Sequence, residues 1–183
     1  MHRGDEVGGA TQRVTEHRVP AGGVLYTAGY AGRTPAGLVR LVDALGVVVV
    51  DVRAFPASRV RHWRGDALAA LLGARYAWRG DVLGGCVRGR PGPTAEGLAR
   101  LGADLDAGAR FLLLCAERAP GDCHRWGLIT RGRFPEALHL YHDGVTEHVL
   151  PEPVLARAVR DGTYDPSADS HVLRVPVGSA RAR

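Results

Sequence analysis

Two uninterrupted apolar runs constrain the fold of this chain more than any other feature. Residues 47–50 are four consecutive valines, and residues 111–114 read Phe-Leu-Leu-Leu. Each run has the length of a strand, and the lack of polar alternation is typical of strands that are covered on both faces. Such strands occur in parallel sheets flanked by helices, so the two runs predict an α/β protein.

Helical patterns separate the predicted strands. Thr34 and Pro35 provide an N-cap and a first helical position, an apolar stripe follows, and Gly46 ends the helix. We expect further strands at about 23–28, 74–78 and 137–141, and further helices at about 66–72, 94–107, 123–131 and 153–160. This alternation predicts one domain over residues 23–163, a three-layer α/β sandwich with a mostly parallel, Rossmann-like sheet.

The two ends of the chain differ from this domain. Residues 1–22 and 164–183 are polar and aperiodic, so we expect tails there, with an edge strand at 171–177 as one option. No apolar run approaches the roughly 20 residues of a membrane span. The first residues also lack the apolar stretch of a signal peptide. We therefore expect a cytoplasmic protein without a membrane partner, and the sequence leaves the oligomeric state open.

Arginine alone carries the positive charge of the lysine and arginine type in this chain. The 24 basic residues are all arginine, and the formal net charge is +5. Arginine suits bidentate contacts with phosphate and carboxylate groups, so a phosphate-bearing ligand or a nucleic acid is compatible with this charge. A solvated basic surface explains the same composition, and the charge alone does not decide between them.

Polar residues follow the predicted strands, at the carboxyl ends where α/β proteins bind ligands. Asp51 and Arg53 follow the valine run, and the Phe-Leu-Leu-Leu run leads to Cys115 and Glu117. The expected catalytic residues are Asp51, Cys115, Glu117, Cys123 and His124. The expected substrate-binding residues are Gly29, Tyr30, Arg33, Arg53, Arg59, Gly84, Gly85 and Arg125. His124 and Arg125 at the start of the next predicted helix indicate an anion site.

The cysteines allow several interpretations. Three cysteines do not make a secreted disulfide framework. Cys115 is either a nucleophile at a strand-to-helix turn or a small buried residue, and Cys123 is a candidate resolving thiol. Their spacing does not match the Cys-x5-Arg loop of cysteine phosphatases. Paired Cys-x-x-Cys spacing is lacking as well, so we expect no metal site, and the cofactor is unknown.

Aromatic residues and histidines are further candidates for contact with a ligand at the predicted site. Trp63, Trp78 and Trp126 are able to stack on a base or ring, although packing in the core explains them equally well. A late predicted strand ends in His139, Tyr141 and His142, each of which is a candidate to reach the site.

Taken together, the motifs resemble those of the bacterial domain-of-unknown-function 488 family. The matching segments are 27–33, 50–53 with Phe55-Pro56 and Ser58-Arg59, 83–85, 114–117 and 122–125. The resemblance covers about residues 24–150 and implies a compact α/β domain with these motifs gathered at one end. It implies no reaction. The chain departs from the family pattern at Trp126-Gly127 and in a shortened region between Gly85 and Thr94.

Three functions are compatible with the sequence. The first is an enzyme, a hydrolase or transferase, acting on a nucleotide, a nucleobase or another phosphate-bearing small molecule, with Asp51 or Glu117 as acid or base. The second is a thiol enzyme, a sulfurtransferase or oxidoreductase, that uses Cys115 and Cys123. The third is a non-catalytic nucleic-acid-binding module that uses the arginine excess.

Overall fold

A computed structural model describes residues 23–87, 89–166 and 171–172 of the chain. The strands are β1 (Val24–Gly29), β2 (Val48–Asp51), β3 (Tyr76–Trp78), β4 (Arg110–Cys115), β5 (Leu138–His142), β6 (Glu147–Pro151) and β7 (His171–Val172). The α-helices are α1 (Pro35–Leu45), α2 (Gly65–Leu72), α3 (Gly80–Leu83), α4 (Ala95–Asp106) and α5 (Glu152–Asp161). A π-helix spans Arg125–Thr130. The predicted N-terminal tail lies outside the described residues.

One sheet contains all the described strands, in the order β3-β2-β4-β1-β5-β6-β7. The pairings from β3 through β5 are parallel, and those of β6 with β5 and β7 are antiparallel. The predicted α/β class with a mostly parallel sheet is therefore confirmed. Among the described residues, no helix combines the length and the apolar character needed to cross a membrane.

Strand β6 is missing from the sequence prediction. It forms a hairpin with β5, and the turn between them is closed by the Asp143 side chain, whose Oδ1 accepts hydrogen bonds from the N–H groups of Val145 and Thr146 at 2.7 Å. Asp143-Gly144 is a dipeptide typical of such turns. The predicted edge strand at 171–177 is observed as β7, paired with β6, and its remaining residues lie outside the described part of the chain.

The predicted helix at 123–131 is wrong in type, because the structure has a π-helix there. The Arg131 N–H donates to the Trp126 carbonyl at 2.9 Å, five residues back. The wider turn brings Arg125, Trp126, Ile129 and Thr130 onto one buried face. A pattern read at 3.6 residues per turn does not detect this face.

Apolar clusters lie on both faces of the sheet. On one face, Leu112 and Leu114 of β4 pack with residues of α1 and α2. On the other, Leu113 and Cys115 pack with residues of α3, α4 and the π-helix. Because successive side chains of a strand point to opposite faces, the residues at the strand ends are divided between these two sides.

Candidate functional site

The carboxyl end of β4 carries a compact group of four polar side chains. The thiols of Cys115 and Cys123, the carboxylate of Glu117 and the imidazole of His124 place their ligand-type atoms within 4.8 Å of one another. Glu117 Oε2 accepts hydrogen bonds from Cys115 Sγ at 2.8 Å and from Cys123 Sγ at 3.1 Å. His124 Nδ1 lies 3.7 Å from Cys115 Sγ and 3.8 Å from Cys123 Sγ. We call these four residues the thiol cluster.

Hydrogen bonds from neighbouring segments fix the backbone around the thiol cluster. The Tyr30 N–H donates to the Cys115 carbonyl at 2.9 Å. The fully buried Arg125 donates from Nη1 to the Glu117 carbonyl at 2.8 Å and from Nη2 to the Arg118 carbonyl at 3.2 Å. Because Arg125 ties the turn after β4 to the π-helix, the segment that carries both cysteines is held together.

The His124 ring is oriented by the backbone. Its Nε2 lies 3.0 Å from the Val52 carbonyl oxygen. Because a carbonyl oxygen only accepts hydrogen bonds, Nε2 must carry the proton, and Nδ1 is the nitrogen that faces the sulfur atoms. A histidine ligand in a metal site is commonly held in this way, with one nitrogen on a backbone carbonyl and the other toward the metal.

The thiol cluster has a buried side and a solvent side. Cys115 is 3% exposed and Cys123 is 4% exposed. His124 is partly exposed, and Glu117 is exposed. Glu117 therefore marks the solvent side of the cluster. The third cysteine, Cys86, is exposed, donates to the Pro91 carbonyl at 3.1 Å and is not one of the four residues of the cluster.

Hydrogen bonding within the cluster shifts the pKa of each group. The close approach of the two thiols, together with burial, raises the pKa of Cys115, and the same interaction lowers the pKa of Cys123. Burial opposes ionisation of Glu117, but hydrogen bonds from Cys115 and Cys123 outweigh it and lower the pKa of that carboxyl. Burial likewise disfavours the charged form of His124, but the bond to Cys123 raises its pKa. These directions favour the anionic forms of Glu117 and Cys123, the cationic form of His124 and the neutral thiol of Cys115.

Asp51 and Arg53 lie on the other face of the sheet. Asp51 pairs in register with Leu114, whose neighbour Cys115 points the opposite way. The Arg53 Nε donates to Asp51 Oδ1 at 2.8 Å, and its Nη1 donates to the Trp63 carbonyl at 2.8 Å. Burial disfavours the Arg53 charge, but the Asp51 carboxylate outweighs burial and raises the pKa of Arg53. The two halves of the predicted site thus share a sheet edge and are separated by the sheet.

Three of the arginines expected to bind substrate make contacts inside the protein. Arg53 is paired with Asp51, and Arg125 is bound to two carbonyls as described. Arg33 is buried and donates to the Gly29 carbonyl and to Glu147. Arg59 is exposed. Arg118, which the sequence analysis did not select, is exposed and adjoins Glu117.

The remaining candidates near the strand ends have packing roles. A Cβ atom on Gly29 would meet the Glu117 carbonyl oxygen at 1.6 Å, so a side chain does not fit where β1 passes the turn after β4. Gly84 is equally confined by the Gly80 carbonyl oxygen at 2.4 Å. The ring of Tyr30 stacks on Trp63 with centroids 4.9 Å apart.

Sequence analysis missed a buried polar network beneath the π-helix. His139 Nδ1 lies 2.9 Å from Thr27 Oγ1, and its Nε2 lies 2.6 Å from Glu152 Oε2. Glu152 also accepts hydrogen bonds from Trp126 Nε1 and Thr130 Oγ1, both at 3.2 Å. The network supports the helix that follows Cys123 and His124. Its members are far apart in the chain, so no local motif could reveal it.

The other aromatic and histidine candidates lie elsewhere. Trp78 lines a shallow depression of about 640 Å³ beside α2, together with Tyr76 and Arg64. Tyr141 lies beside the ring of His148, with centroids 6.0 Å apart. His142 accepts a hydrogen bond from the N–H of Gly144 in the β5–β6 turn.

Comparisons of this chain with protein-family models, with curated proteins and with solved structures return no match. The resemblance to the domain-of-unknown-function 488 family therefore stays a prediction, and the geometry of the thiol cluster carries the argument about function.

Proposed function

We propose that this protein is a metalloprotein whose function depends on one divalent transition-metal ion, with zinc as the first candidate, bound by Cys115, Cys123 and His124. The observation that carries the proposal is the distance from the His124 imidazole to each of the two sulfur atoms. Zn–S bonds of about 2.3 Å and Zn–N bonds of about 2.0–2.1 Å in tetrahedral geometry separate sulfur from nitrogen by about 3.6 Å. His124 Nδ1 lies 3.7 and 3.8 Å from the two sulfur atoms.

The chemistry of the donor set agrees with this spacing. Two thiolates and an imidazole suit zinc and other borderline-soft ions, and they disfavour magnesium and calcium, which take oxygen ligands. The Val52 carbonyl supplies the outer hydrogen bond that orients a histidine ligand. Both sulfur atoms lie in the protein interior, where a bound ion neutralises two thiolate charges that burial otherwise opposes.

The predicted architecture and the predicted phosphate-bearing substrate are both compatible with this proposal. Three-layer, Rossmann-like architecture is supported by the apolar clusters on both sheet faces, and it accounts for a site at the carboxyl ends of parallel strands. An enzyme acting on a phosphate-bearing small molecule stays a prediction. Of the arginines discussed, Arg59 and Arg118 are exposed and able to meet such a ligand.

A thiol enzyme is the second candidate, because one specific observation favours it. The two sulfur atoms lie within 4.8 Å of each other, which makes Cys115 and Cys123 a candidate pair for a disulfide if their side chains move together. The burial of both thiols argues against direct attack on a substrate. Metal analysis separates the two candidates, because a tightly held ion protects both sulfur atoms from oxidation and alkylation.

The test is metal content and cobalt binding of the full chain. We expect the purified protein to carry close to one equivalent of zinc, and the metal-free protein to bind one Co²⁺ with the absorption bands of thiolate coordination. Cys115→Ser and Cys123→Ser should lose these bands. Cys86→Ser is the matched control and should keep them, because the exposed Cys86 is not one of the four residues of the cluster. A wild-type protein that binds neither ion below micromolar concentrations, and whose cysteines form a disulfide instead, would overturn the proposal in favour of the thiol enzyme.

A further inference from the structure

In the thiol cluster, the Glu117 carboxylate lies closer to the two sulfur atoms than the His124 imidazole does. Glu117 Oε2 lies 2.8 Å from Cys115 Sγ and 3.1 Å from Cys123 Sγ. Ligands of one tetrahedral ion would hold sulfur and oxygen about 3.5–3.7 Å apart, given Zn–S of about 2.3 Å and Zn–O of about 2.0–2.2 Å. The carboxylate is thus at hydrogen-bond distance from both thiols, whereas His124 is at ligand distance.

Binding of an ion changes what Glu117 contacts. Thiols that ligate a metal lose their protons, so the hydrogen bonds that hold Glu117 against both sulfur atoms are lost. Glu117 is the exposed member of the cluster, so its carboxylate would lie on the solvent side of a bound ion. Its main chain stays in place, because Arg125 holds the Glu117 carbonyl at 2.8 Å.

The geometry points to an open, catalytic metal position: Cys115, Cys123 and His124 hold the ion, water takes the fourth position, and Glu117 accepts a proton from that water. This inference rests on the proposed metalloprotein and adds a reaction class, hydrolysis. Three protein ligands with one open position are typical of catalytic zinc sites, whereas structural sites are closed by four protein ligands.

Charge explains why such a site needs Glu117. Two thiolates and a neutral imidazole cancel the two positive charges of the ion. A water on this ion is therefore less acidified than one held by three neutral histidines. A carboxylate within hydrogen-bond reach supplies the missing basicity. Arg118, next in sequence to Glu117, is exposed, and its guanidinium lies beside Gly32.

The chemical step balances without an oxidant or reductant. An O–H bond of the water breaks, and its proton passes to the Glu117 carboxylate. The oxygen uses the freed electron pair to form a bond to an acyl or phosphoryl centre of the substrate. The bond to the leaving group then breaks, the leaving group takes the electron pair, and Glu117 returns the proton to it. One water is added across the cleaved bond.

The experiment uses the full chain loaded with Co²⁺, azide as a probe of the open position, and p-nitrophenyl acetate as an activated ester. Azide should change the cobalt bands of the wild type in a saturable way. Glu117→Gln should bind Co²⁺ within about threefold of wild type, and its ester hydrolysis should fall at least about 100-fold, the usual contribution of a general base. Glu136→Gln changes an exposed glutamate of the turn before β5 and should leave both measurements unchanged.

Each other outcome is decisive. If azide leaves the cobalt bands unchanged and Glu117→Gln weakens binding more than tenfold, Glu117 is a fourth ligand. The site is then closed and structural, so the metalloprotein proposal stands and the catalytic one fails. If azide binds but Glu117→Gln hydrolyses the ester as fast as wild type, the assignment of Glu117 as the base fails. If the wild-type protein binds no metal, both proposals fail together.

Discussion

Gly85 lies against the ring of His124 so closely that a Cβ atom at this position would meet the His124 Cγ at 2.9 Å and its Nδ1 at 3.0 Å. Atoms of that kind do not approach so closely without a shift. The same ring is held on its other edge by the Val52 carbonyl, 3.0 Å from Nε2. A glycine therefore sets the distance between this imidazole and the two thiols.

The first prediction concerns this contact. Gly85→Ala should push the His124 ring out of position and weaken Zn²⁺ affinity by about 10–100-fold, the usual effect of disturbing the groups that orient a ligand. Competition with a chromophoric chelator measures the affinity. Gly127→Ala is the matched control, because a Cβ atom there meets nothing within 4 Å. Equal zinc affinity in the two variants would show that Gly85 does not position the imidazole.

The second prediction concerns removal of the metal. An ion that binds only the folded chain stabilises it by about 4 kcal/mol when its free concentration is a thousandfold above Kd. For a chain of this size, that is a rise in Tm of about 10 °C. Calorimetry of the chelator-treated protein before and after zinc is restored measures the difference. Cys123→Ser should show almost no rise. A comparable rise in that variant would indicate that the zinc binds elsewhere.

The third prediction separates the Asp51–Arg53 pair from the thiol cluster. Asp51 is fully buried and Arg53 is 6% exposed, so Asp51→Asn leaves a buried guanidinium without its carboxylate. We expect a loss of about 3–5 kcal/mol in the free energy of unfolding, measured by urea denaturation. Zinc affinity of the folded variant should not change, because the pair lies on the other face of the sheet.

The control for this variant is an exposed ion pair. Arg75 and Asp43 interact at the surface, with side chains 41% and 56% exposed, so Asp43→Asn should cost less than about 1 kcal/mol. If Asp51→Asn weakens zinc binding more than tenfold while the protein remains folded, the Asp51–Arg53 pair affects metal binding through the sheet, and the prediction that it is independent of the thiol cluster is wrong.

The fourth prediction concerns pH and the buried His139. Burial lowers the pKa of His139 below its usual 6.5, although Glu152 opposes the shift and Arg125 adds to it. Between the lowered pKa of the folded state and about 6.5, His139 therefore binds a proton in the unfolded chain but not in the folded chain. This contribution to stability is complete above about pH 6.5 and is lost as the pH falls toward the lower folded-state pKa.

Urea denaturation between pH 7.5 and pH 5 measures this effect. His139→Gln should reduce the acid-side loss of stability relative to wild type, even if its stability at neutral pH is lower. His62→Gln removes an exposed histidine and should keep the wild-type pH profile. A His139→Gln profile parallel to wild type would mean that His139 keeps its ordinary protonation in the fold.

Local chain properties were sufficient to predict much of the fold. The four valines before Asp51 and the apolar run before Cys115 are both strands of the predicted kind, because an uninterrupted apolar segment is stable only when both faces are covered. Helix α1 begins after its Thr34 cap and ends at Gly46 as expected. These features depend on neighbours in the sequence, so the sequence is enough to predict them.

Other features depend on contacts that local patterns do not record. Strand β6 has the signal of its Asp143-Gly144 turn but was not predicted, and the π-helix has a period that an α-helical pattern does not match. Their place at a strand end and a helix start selected the four residues of the thiol cluster without indicating a metal, because Cys115, Glu117, Cys123 and His124 lack the spacing of known ligand pairs.

The sequence by itself determined that polar groups would collect at one edge of a parallel sheet, since strand ends and their chemistry are local properties. Tertiary structure alone decided how those groups are divided. The register of β2 against β4 turns Asp51 toward one face and Cys115 toward the other. The turn held by Arg125 then brings the sulfur atoms and the imidazole to ligand spacing. The physical reason is that face and distance depend on strand register and loop closure, which involve residues far apart in the chain.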